Sequence, residues 1–425
     1  MAKPRFLYLV NPPSPPGALA NREGASGLGT LDKRTHGFLY PPHLLATLAA
    51  AAQGAGWRSR MIDAAGAGWD IEETLAQIGN EEVPVVVQVS YASHQADGDF
   101  LRLLRLERPH AWVLVVGTPS QELAQEWNTE GLADGFLLGE PEGAFVAALA
   151  CREMSEVGIL TPEKLNVSGY GAGGRLIDLD ALPYPAWEHV DQERYRFLSI
   201  LSSRGCSDGC LYCPYAAAQG TSFRAQSPLR TVEEADWLVR THRPPRIMFR
   251  DPVFARDRAR VQAICRELCA RNLRVPWECE SRPEHFDAEL LREMHAAGCD
   301  TIKIGLETTN PALLVALHRV SNLAAAEAYM ARVAEIVRQC RDVGIACRVF
   351  VMTGLPGQDE EAIAATGQFL RDLRPDAVHV KPYRWYPNTG LGVSTEDGEA
   401  QAAVLSRLLC PPEPLWRRLW RRVAG

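Results

Sequence analysis

The sequence predicts an α/β protein made of two successive domains and a short helical tail. Short apolar runs alternate with stretches whose apolar residues recur every three to four positions, a pattern typical of β-strands followed by amphipathic helices. Polar residues directly follow many of the apolar runs, as they do at the carboxyl ends of parallel strands. The 425 residues, 46% of them hydrophobic, are enough for two or three domains with cores of their own.

Residues 1–155 are predicted to form a doubly wound domain, with helices between its strands. Five βα units in succession are typical of the flavodoxin or Rossmann-like type, which binds flat or nucleotide-like ligands at the carboxyl ends of its strands. No G-x-G-x-x-G motif opens the first helix, which argues against a dinucleotide, and the absence of G-x-x-x-x-G-K-[ST] argues against a nucleoside triphosphate. The strands are expected at 5–10, 58–63, 83–90, 111–117 and 133–139.

The loops after these strands are rich in small residues, which would let the backbone approach a large planar ring. Ligand contacts in this domain are therefore expected from the residues that begin those loops. These are Asn11, Pro12, Ser90, Tyr91, Gly117, Gly139 and Glu140.

A linker is expected at 156–194, a partial (β/α)6 barrel of the TIM type at 195–390, and the helical tail at 391–425. The barrel strands are predicted at 196–203, 246–251, 275–281, 301–307, 346–357 and 377–387. The barrel helices are predicted at 231–240, 256–272, 287–297, 323–343 and 359–373.

Four polar residues follow the predicted barrel strands: Asp251, Glu280, Arg282 and Glu307. The carboxyl ends of barrel strands line the mouth where ligands bind. Asp251 is equally well explained as the cap of the following helix. Glu280 and Glu307 follow strongly apolar strands, which should carry their carboxylates toward the mouth.

Cys206, Cys210 and Cys213 lie in a loop-forming stretch with Gly205 and Gly209, so their thiols can converge on one point. The eleven cysteines are an odd number, and no export signal precedes them, which argues against a disulfide framework. A structural zinc site would show a second Cys or His pair nearby, and none follows. Three thiolates on a four-iron cluster would leave one iron open to a small ligand, and that hypothesis suits the spacing better.

The C-x3-C-x2-C spacing, with Tyr212 before the last cysteine, resembles the signature of the radical S-adenosylmethionine (radical SAM) enzymes. The resemblance covers about residues 195–390. It implies that the three cysteines bind a [4Fe-4S] cluster, whose open iron holds SAM and whose electron cleaves SAM to a 5'-deoxyadenosyl radical. It also implies that the cofactor contacts of the barrel include Tyr212, Glu280, Arg282 and Glu307.

A doubly wound domain before such a barrel, joined by the connector LIDLDALPYPAW (176–187), is similar to the cobalamin-binding members of that family. The resemblance implies that cobalamin lies between the two domains. The D-x-H-x-x-G motif that supplies a lower cobalt ligand in many cobalamin domains is absent, as it commonly is in radical SAM members. Neither His94 nor DKRTHG (32–37) has its place and spacing. A domain that keeps the fold but binds nothing therefore stays open as an alternative.

The resemblance implies a methyltransferase that acts on an unactivated carbon of a small molecule or peptide through methylcobalamin. An external electron donor of the flavodoxin or ferredoxin type would be its partner. One alternative is a cobalamin-dependent radical SAM enzyme that cyclises, rearranges or oxidises its substrate. Another is a non-catalytic iron-sulfur sensor, which is less consistent with a full set of polar strand ends.

Bulk properties argue against other classes of protein. No segment approaches about eighteen uninterrupted apolar residues, and the first apolar run ends at a proline pair, so a cytoplasmic protein without a signal peptide or membrane span is expected. The net charge of −7 gives no basic surface for nucleic acid. The basic, aromatic segment PLWRRLWRR near the C-terminus is most simply an amphipathic helix packed on the body.

Overall fold

The structure is a computed structural model, and the chain divides into two compact units. Unit 1 comprises residues 1–207, 214–254 and 259–277, and unit 2 comprises residues 208–213, 255–258 and 278–425. The residues that the structure describes are 5–33, 39–118, 120–151, 158–161, 164–171, 174–392 and 398–409.

The described ranges contain the following β-strands: β1 (Phe6–Asn11), β2 (Ala18–Asn21), β3 (Thr30–Lys33), β4 (Arg58–Asp63), β5 (Pro84–Ser90), β6 (Trp112–Thr118), β7 (Gly135–Leu138), β8 (Gly158–Leu160), β9 (Tyr170–Gly171), β10 (Arg175–Leu176), β11 (Leu198–Ile200), β12 (Ser203–Arg204), β13 (Arg224–Ala225), β14 (Ile247–Phe249), β15 (Trp277–Ser281), β16 (Cys299–Glu307), β17 (Ala346–Thr353) and β18 (Ala377–Pro382).

The same ranges contain the following α-helices: α1 (His43–Gly54), α2 (Ala64–Ala67), α3 (Ile71–Ala76), α4 (His94–Glu107), α5 (Gln121–Thr129), α6 (Phe145–Cys151), α7 (Pro214–Gln219), α8 (Pro228–Thr241), α9 (Arg258–Ala270), α10 (Ala288–Ala296), α11 (Pro311–Ala316), α12 (Leu323–Val343), α13 (Glu360–Leu373) and α14 (Gly398–Leu409).

Unit 1 is built on a six-stranded parallel sheet with the strand order β4-β1-β5-β6-β7-β8. The central strand β5 is buried along its whole length, because one face packs on Phe100 of α4 and the other on Leu45 of α1. When the strands of this sheet are numbered along the chain, β4-β1-β5-β6-β7 has the order 2-1-3-4-5 of the flavodoxin-type doubly wound fold. The chain reverses direction across the sheet at β1 and β5, and ligands bind such sheets at the carboxyl ends of those strands.

An antiparallel hairpin, β2–β3, lies against that carboxyl edge. Thr118 at the end of β6 donates its hydroxyl to the carbonyl oxygen of Gly27, and the amide of Ala92 donates to the carbonyl of Leu28 at 2.9 Å. Arg22 anchors the hairpin through a fully buried ion pair with Asp97 of α4, with 2.5 Å between Nη2 and Oδ1. This hairpin was not among the predicted strands.

Unit 1 also contains the parallel pair β11 and β14, which follow the doubly wound sheet in the chain. Ser227 caps helix α8, because its hydroxyl accepts a hydrogen bond from the amide of Arg230, and Pro228 is the first residue of the helix. Both features are typical helix N-terminal signals.

Unit 2 contains the parallel strands β16, β17 and β18 in that order. Residues alternate along β17, so that Cys347, Val349 and Val351 are buried while Arg348 and Phe350 on the other face are half-buried. The register shifts between Gly305 and Glu307 at the end of β16, where one residue is left without a partner in β17. A bulge at a strand end redirects the side chains next to it.

The predicted α/β architecture is confirmed, and each of the eleven predicted strands is present, although several are shorter at one or both ends. The predicted strand 346–357 ends at Thr353, because the residues Gly354–Gly357 form a turn, and the strand 377–387 ends at Pro382. Strand β8 comes from the segment expected to be a linker and adds a sixth strand to the sheet. The domain boundaries expected from the sequence stay predictions.

Helix α14 lies within the expected tail, whereas the segment PLWRRLWRR lies outside the described residues. Over the described ranges, each helix is either too short or too polar to span a lipid bilayer.

Gly117 of β6 permits the close approach of β5. Its φ of 116° is unfavourable for other residues, and a Cβ atom would overlap the carbonyl oxygen of Val89. We expect Gly117→Ala to lower the free energy of unfolding by about 3 kcal/mol or more, because strain and overlap add. Gly139→Ala is the control, since its φ of 85° is also positive but a Cβ would meet no atom within 4 Å. Urea denaturation of both variants measures the difference, and equal losses would contradict the overlap argument.

Candidate functional site

Backbone hydrogen bonds hold the segment that carries the three cysteines. In unit 1, the buried Cys206 donates its amide to the carbonyl oxygen of Gly220 at 3.1 Å. In unit 2, the amide of Cys213 donates to the carbonyl oxygen of Cys210 at 3.2 Å, which closes a turn. Cys206, Cys210 and Cys213 form no disulfide, and no three His, Cys, Asp or Glu side chains among the described residues are arranged to hold a single metal ion.

Two guanidinium groups lie beside the thiol of Cys210. The Nη1 atom of Arg282 is 3.7 Å from its Sγ, and the Nη1 atom of Arg319 is 3.9 Å from it. Arg282 also donates to the carbonyl oxygen of Arg319 at 2.9 Å, so the two side chains are held together. Two guanidinium groups next to this sulfur complement the negative charge that a cysteine carries when it binds iron. The surroundings of Cys210 therefore fit the iron-sulfur cluster that the cysteine spacing implies.

The loop is joined to β16 through Tyr212, whose hydroxyl donates to Oε1 of Glu307 at 2.9 Å. The ring of Tyr212 is buried against Leu317, Leu355 and Tyr383. Burial raises the pKa of Tyr212 well above its ordinary value, so the hydroxyl keeps its proton and acts as a donor. The structure thus brings together two of the residues that the sequence analysis singled out.

Glu307 adopts a backbone conformation that is rare for a residue with a side chain, with φ of 65°. Its carboxylate folds back over Gly305, where a Cβ atom would overlap it, and lies 3.9 Å from Nη2 of Arg319. Burial raises the pKa of Glu307, and the charge of Arg319 opposes that rise. Strained residues that the surrounding structure holds in place cluster at functional sites.

The half-buried Glu280 of β15 differs from the buried carboxylates Glu278 and Glu307 because it forms no hydrogen bond or ion pair with the described residues. Burial raises the pKa of Glu280 to about 7, and the charge of Lys303 opposes that rise while Glu307 adds to it. Its neighbour on the same face of the strand, Glu278, is paired with Lys303 at 2.7 Å and with Arg348 at 3.4 Å. Glu280 is therefore a half-buried acceptor that stays available to a ligand.

Arg282 and Arg319 also line an open cavity of about 680 Å³ in unit 2. Asp208, Glu284, His285 and His318 contribute further polar groups to its wall. This volume lies within the range of small-molecule sites, which is about 300–1,000 Å³. The cavity therefore gives a polar ligand access to the two guanidinium groups beside Cys210.

Asp251, at the end of β14 in unit 1, is fully buried and fixes the segment before the cysteines. Its carboxylate accepts from the amide and hydroxyl of Ser202 and from the hydroxyl of Ser203, each at 2.7 Å. Arg260 lies 4.0 Å away. Both of its oxygens are used in these contacts.

A second, smaller cavity of about 70 Å³ lies within unit 1 at the carboxyl edge of the doubly wound sheet. Three of the predicted ligand residues, Gly117, Gly139 and Glu140, line it. Its wall also includes His43 and Arg250. Burial lowers the pKa of His43 to about 4, so its ring is neutral at pH 7.

The carboxylates of this wall are paired with arginines. Glu140 accepts from Arg224 at 2.7 Å and from the amide of Leu176 at 2.8 Å. Burial raises its pKa, but the hydrogen bond from Arg224 and the charges of Arg224 and Arg204 hold the pKa of Glu140 below its ordinary value. A second pair joins Glu142 and Arg204 at 2.7 Å. Paired carboxylates of this kind have little capacity left for a ligand.

The other predicted ligand residues of this domain contact their own unit and are not part of the cavity wall. Asn11 accepts from Arg22 at 3.1 Å, and the carbonyl oxygen of Pro12 accepts from the same guanidinium at 2.7 Å. Ser90 contacts the hydroxyl of Ser93 at 2.7 Å. Tyr91 stacks on His94, with 5.7 Å between ring centroids.

The lining fits a ligand whose periphery carries neutral hydrogen-bonding groups. Gln88 and Arg204 are buried in the wall, and each keeps one side-chain polar atom without a hydrogen-bond partner. The corrin ring of cobalamin carries carboxamide arms that both donate and accept hydrogen bonds. The chemistry of this wall is therefore compatible with such an arm, although the cavity is far smaller than the ring.

Residues 200–370 match the Radical SAM superfamily. The radical SAM domain expected from the cysteine spacing is thereby confirmed. The matched region begins at the end of β11, contains the three cysteines and ends within α13.

The whole fold is similar to that of a solved structure, the radical SAM methyltransferase TsrM of Kitasatospora setae with cobalamin and a [4Fe-4S] cluster bound. The similarity has a TM-score of 0.68 at 18% identity and covers 92% of this chain and 77% of TsrM. The expected order of a doubly wound domain and a radical SAM barrel is confirmed by this match.

Curated relatives match over about half of the chain. An uncharacterized methyltransferase of Pyrococcus horikoshii is 24% identical over 50% of this chain and 46% of its own length. The anaerobic magnesium-protoporphyrin IX monomethyl ester cyclase of a Synechocystis strain is 26% identical over 47% of this chain and 40% of its own length. The matches thus span less than half of these relatives.

Sequence reasoning missed two arginines of the candidate sites. Arg319 lines the cavity of unit 2, and Arg204 lines the cavity of unit 1. Arg319 follows the short helix α11 rather than a strand, so the rule that singled out strand ends did not reach it. Arg204 directly precedes the cysteine loop, and that proximity was the one available signal.

Glu280→Gln tests the environment of the unpaired carboxylate. A pKa of about 7 in the folded protein, above the ordinary value of 4.5, means that the fold loses stability as the pH rises from the ordinary value to 7, and that the loss levels off above 7. We expect the variant to be more stable than the wild type by about 1–3 kcal/mol at about pH 8, with a much smaller difference at about pH 5. Urea denaturation at the two pH values measures this.

Glu284→Gln serves as the control for this experiment. Burial raises its pKa, but the hydrogen bond and charge of Arg282 hold the pKa of Glu284 below its ordinary value. The control should therefore gain no stability at high pH. A Glu280→Gln variant with the same stability gain at both pH values would show that Glu280 titrates normally.

Proposed function

We propose that the protein is a cobalamin-dependent radical SAM methyltransferase that acts on an unactivated carbon of a small molecule or peptide. The observation that carries the proposal is the placement of Cys210 beside Arg282 and Arg319, next to the bonded pair Tyr212 and Glu307. A thiolate, a cationic pair and a strained carboxylate within a radical SAM domain are the groups that cluster and SAM binding need.

When bound, the cluster and SAM supply the 5'-deoxyadenosyl radical, and cobalamin supplies the methyl group. The chain's own part is to hold and orient them. Cys206, Cys210 and Cys213 bind three irons of the cluster. Arg282 and Arg319 pair with the carboxylate of SAM, and Glu280 and Glu307 accept hydrogen bonds from its ammonium and ribose hydroxyl groups.

Cobalamin is proposed to bind at the carboxyl edge of the doubly wound sheet, near Gly117 and Gly139. The support for this is the polar cavity at that edge together with the fold shared with TsrM. Asn11, Pro12, Ser90, Tyr91 and Glu140 would shape that edge. An external one-electron donor of the flavodoxin or ferredoxin type completes the proposal, because the cluster has to be reduced in each turnover.

A second candidate function is a cobalamin-dependent cyclisation, rearrangement or oxidation without methyl transfer. The match to the Synechocystis cyclase favours this alternative. Both functions use the same cofactors, so product analysis has to separate them.

Anaerobic reconstitution tests the cofactor set. The protein is incubated with iron, sulfide and hydroxocobalamin, desalted, and analysed for iron, sulfide and cobalt. We expect about four irons and about one cobalt per chain. Changing Cys206, Cys210 and Cys213 to Ala should remove the iron, whereas the same change at Cys265 and Cys340, which are buried among apolar residues, should not.

Each outcome of the reconstitution has a distinct meaning. Iron without cobalt would eliminate the cobalamin-dependent methyltransferase and leave a radical SAM enzyme. Full iron in the triple Cys variant would show that other residues bind the cluster. With both metals bound, methyl transfer from SAM labelled in its methyl group separates the methyltransferase from the cyclase alternative.

Glu307→Gln tests the SAM contact separately from the cluster. The neutral amide still accepts a hydrogen bond from Tyr212 but loses the charge that attracts an ammonium group. We expect SAM affinity to fall about tenfold with the iron content unchanged. Equilibrium dialysis with labelled SAM measures this.

Glu335→Gln on α12, whose partner is Arg332, is the matched surface control for that experiment. It should bind SAM as tightly as the wild type. Unchanged affinity in Glu307→Gln would show that Glu307 only supports the loop through Tyr212.

A further inference from the structure

The small cavity in unit 1 contains three buried side-chain atoms without a hydrogen-bond partner. They are Oγ of Ser26, Oε1 of Gln88 and Nε of Arg204, and all three residues line the cavity. Ser26 belongs to the turn of the hairpin, Gln88 to β5 and Arg204 to β12, so the atoms come from separate parts of the chain. A buried polar group without a partner costs about 1–3 kcal/mol. Three at one cavity indicate that it receives a polar ligand.

The orientation of Gln88 is fixed by its other end. Its Nε2 atom donates to Oε1 of Glu23 at 2.9 Å, and Glu23 is held in turn by Arg250 at 2.8 Å. Because a carboxylate only accepts hydrogen bonds, the amide nitrogen of Gln88 must face Glu23. The amide oxygen is therefore the end left without a partner, and Gln88 is only 2% exposed.

Arg204 is fixed in the same way. Its Nη1 and Nη2 atoms donate to the two carboxylate oxygens of Glu142 at 3.3 and 2.7 Å. Its Nε–H group is left without a hydrogen-bond partner, although Arg204 is only 3% exposed. The cavity thus offers one fixed acceptor and one fixed donor, with the hydroxyl of Ser26 able to act as either.

The charges around the cavity select a neutral ligand group. The carboxylates of Glu23, Glu140 and Glu142 disfavour an anion, and Arg204 and Arg250 disfavour a cation. A primary carboxamide is neutral, donates through its nitrogen to Gln88 and accepts through its oxygen from Arg204. A cavity needs about 10–15 Å³ to hold one water, so about 70 Å³ has room for a carboxamide group.

We propose that this cavity binds one carboxamide side arm of cobalamin, with Gln88 accepting from the amide nitrogen and Arg204 donating to the amide oxygen. The inference rests on the proposed function, because it assumes that cobalamin is the ligand of this edge. It assigns this role to Gln88 and Arg204, neither of which lies in the loops that the sequence predicted to contact a ligand. Water molecules that fill the cavity are the competing explanation.

The test measures the affinity of the full-length protein for hydroxocobalamin by equilibrium dialysis with cobalt analysis. Gln88→Met keeps the size of the side chain and removes the acceptor. We expect its dissociation constant to rise about tenfold, the cost of one buried hydrogen bond. Gln226→Met is the matched control, since Gln226 is a buried glutamine of unit 1 with both ends bonded, to Glu234 and Thr231, and is not part of the cavity wall.

A second measurement uses hydroxocobalamin derivatives in which one carboxamide arm has been hydrolysed to a carboxylate. The wild type should bind one of these isomers about tenfold more weakly than hydroxocobalamin, because that arm can no longer donate to Gln88 and brings a negative charge next to Glu23. Gln88→Met should discriminate less against the same isomer. Because this series can be measured with the wild type alone, the test remains valid if Gln88→Met does not fold.

The outcomes separate the two levels of the proposal. Tight binding of hydroxocobalamin by the wild type, with no change in Gln88→Met and equal affinity for all isomers, would overturn the side-arm site and show that the cavity holds water. Absence of cobalt binding by the wild type would overturn the cobalamin proposal and this inference together.

Discussion

The hydrogen bond between Tyr212 and Glu307 is the interaction on which the candidate active site depends. The residues from Asp208 to Cys213 have no helix or strand to hold them, and no regular ladder fixes their position. Tyr212 ties this segment to the end of β16, and the amide of Leu211 adds a bond to the carbonyl of Leu317 at 3.1 Å. The strained backbone of Glu307 is the cost of directing its carboxylate at that hydroxyl.

Both candidate sites contain an arginine whose side chain is held in place by a neighbouring residue. Arg319 donates to the hydroxyl of Tyr329 at 2.6 and 2.8 Å, and its position beside Cys210 follows from that anchoring. Arg204 is held by Glu142 in the same manner. A planar guanidinium held at one end presents its remaining N–H groups in a defined direction. Each site is thus organised before any ligand binds.

Much of the fold follows from local pattern in the sequence. The strands were predictable because apolar runs mark them, and Glu280 and Glu307 were found because they follow such runs. Tyr212 was predicted as a site residue because it belongs to the cysteine motif. These features depend on residues close together in the chain. The pairs Arg204 with Glu142 and Arg250 with Glu23 join residues far apart in the chain, and no local pattern encodes them. The hairpin β2–β3 escaped prediction for a different reason, because its strands are only four residues long and contain Ala, Asn, Asp and Lys, which are depleted in strands.

The hairpin has a kinetic consequence for ligand uptake. Gly29 packs so closely on Ser90 that a Cβ atom would overlap its hydroxyl, and the buried pair of Arg22 and Asp97 holds the hairpin in place. Ser26 and Gly27 of the hairpin line the cavity at this sheet edge. If the proposed cobalamin binds here, its ring is far larger than the cavity, so the hairpin has to move for the ring to enter. Uptake of a large ring would then follow the rate of hairpin opening rather than the rate of diffusion, and release would be slow for the same reason. If cobalamin is the ligand of this edge, it would then stay bound through many turnovers.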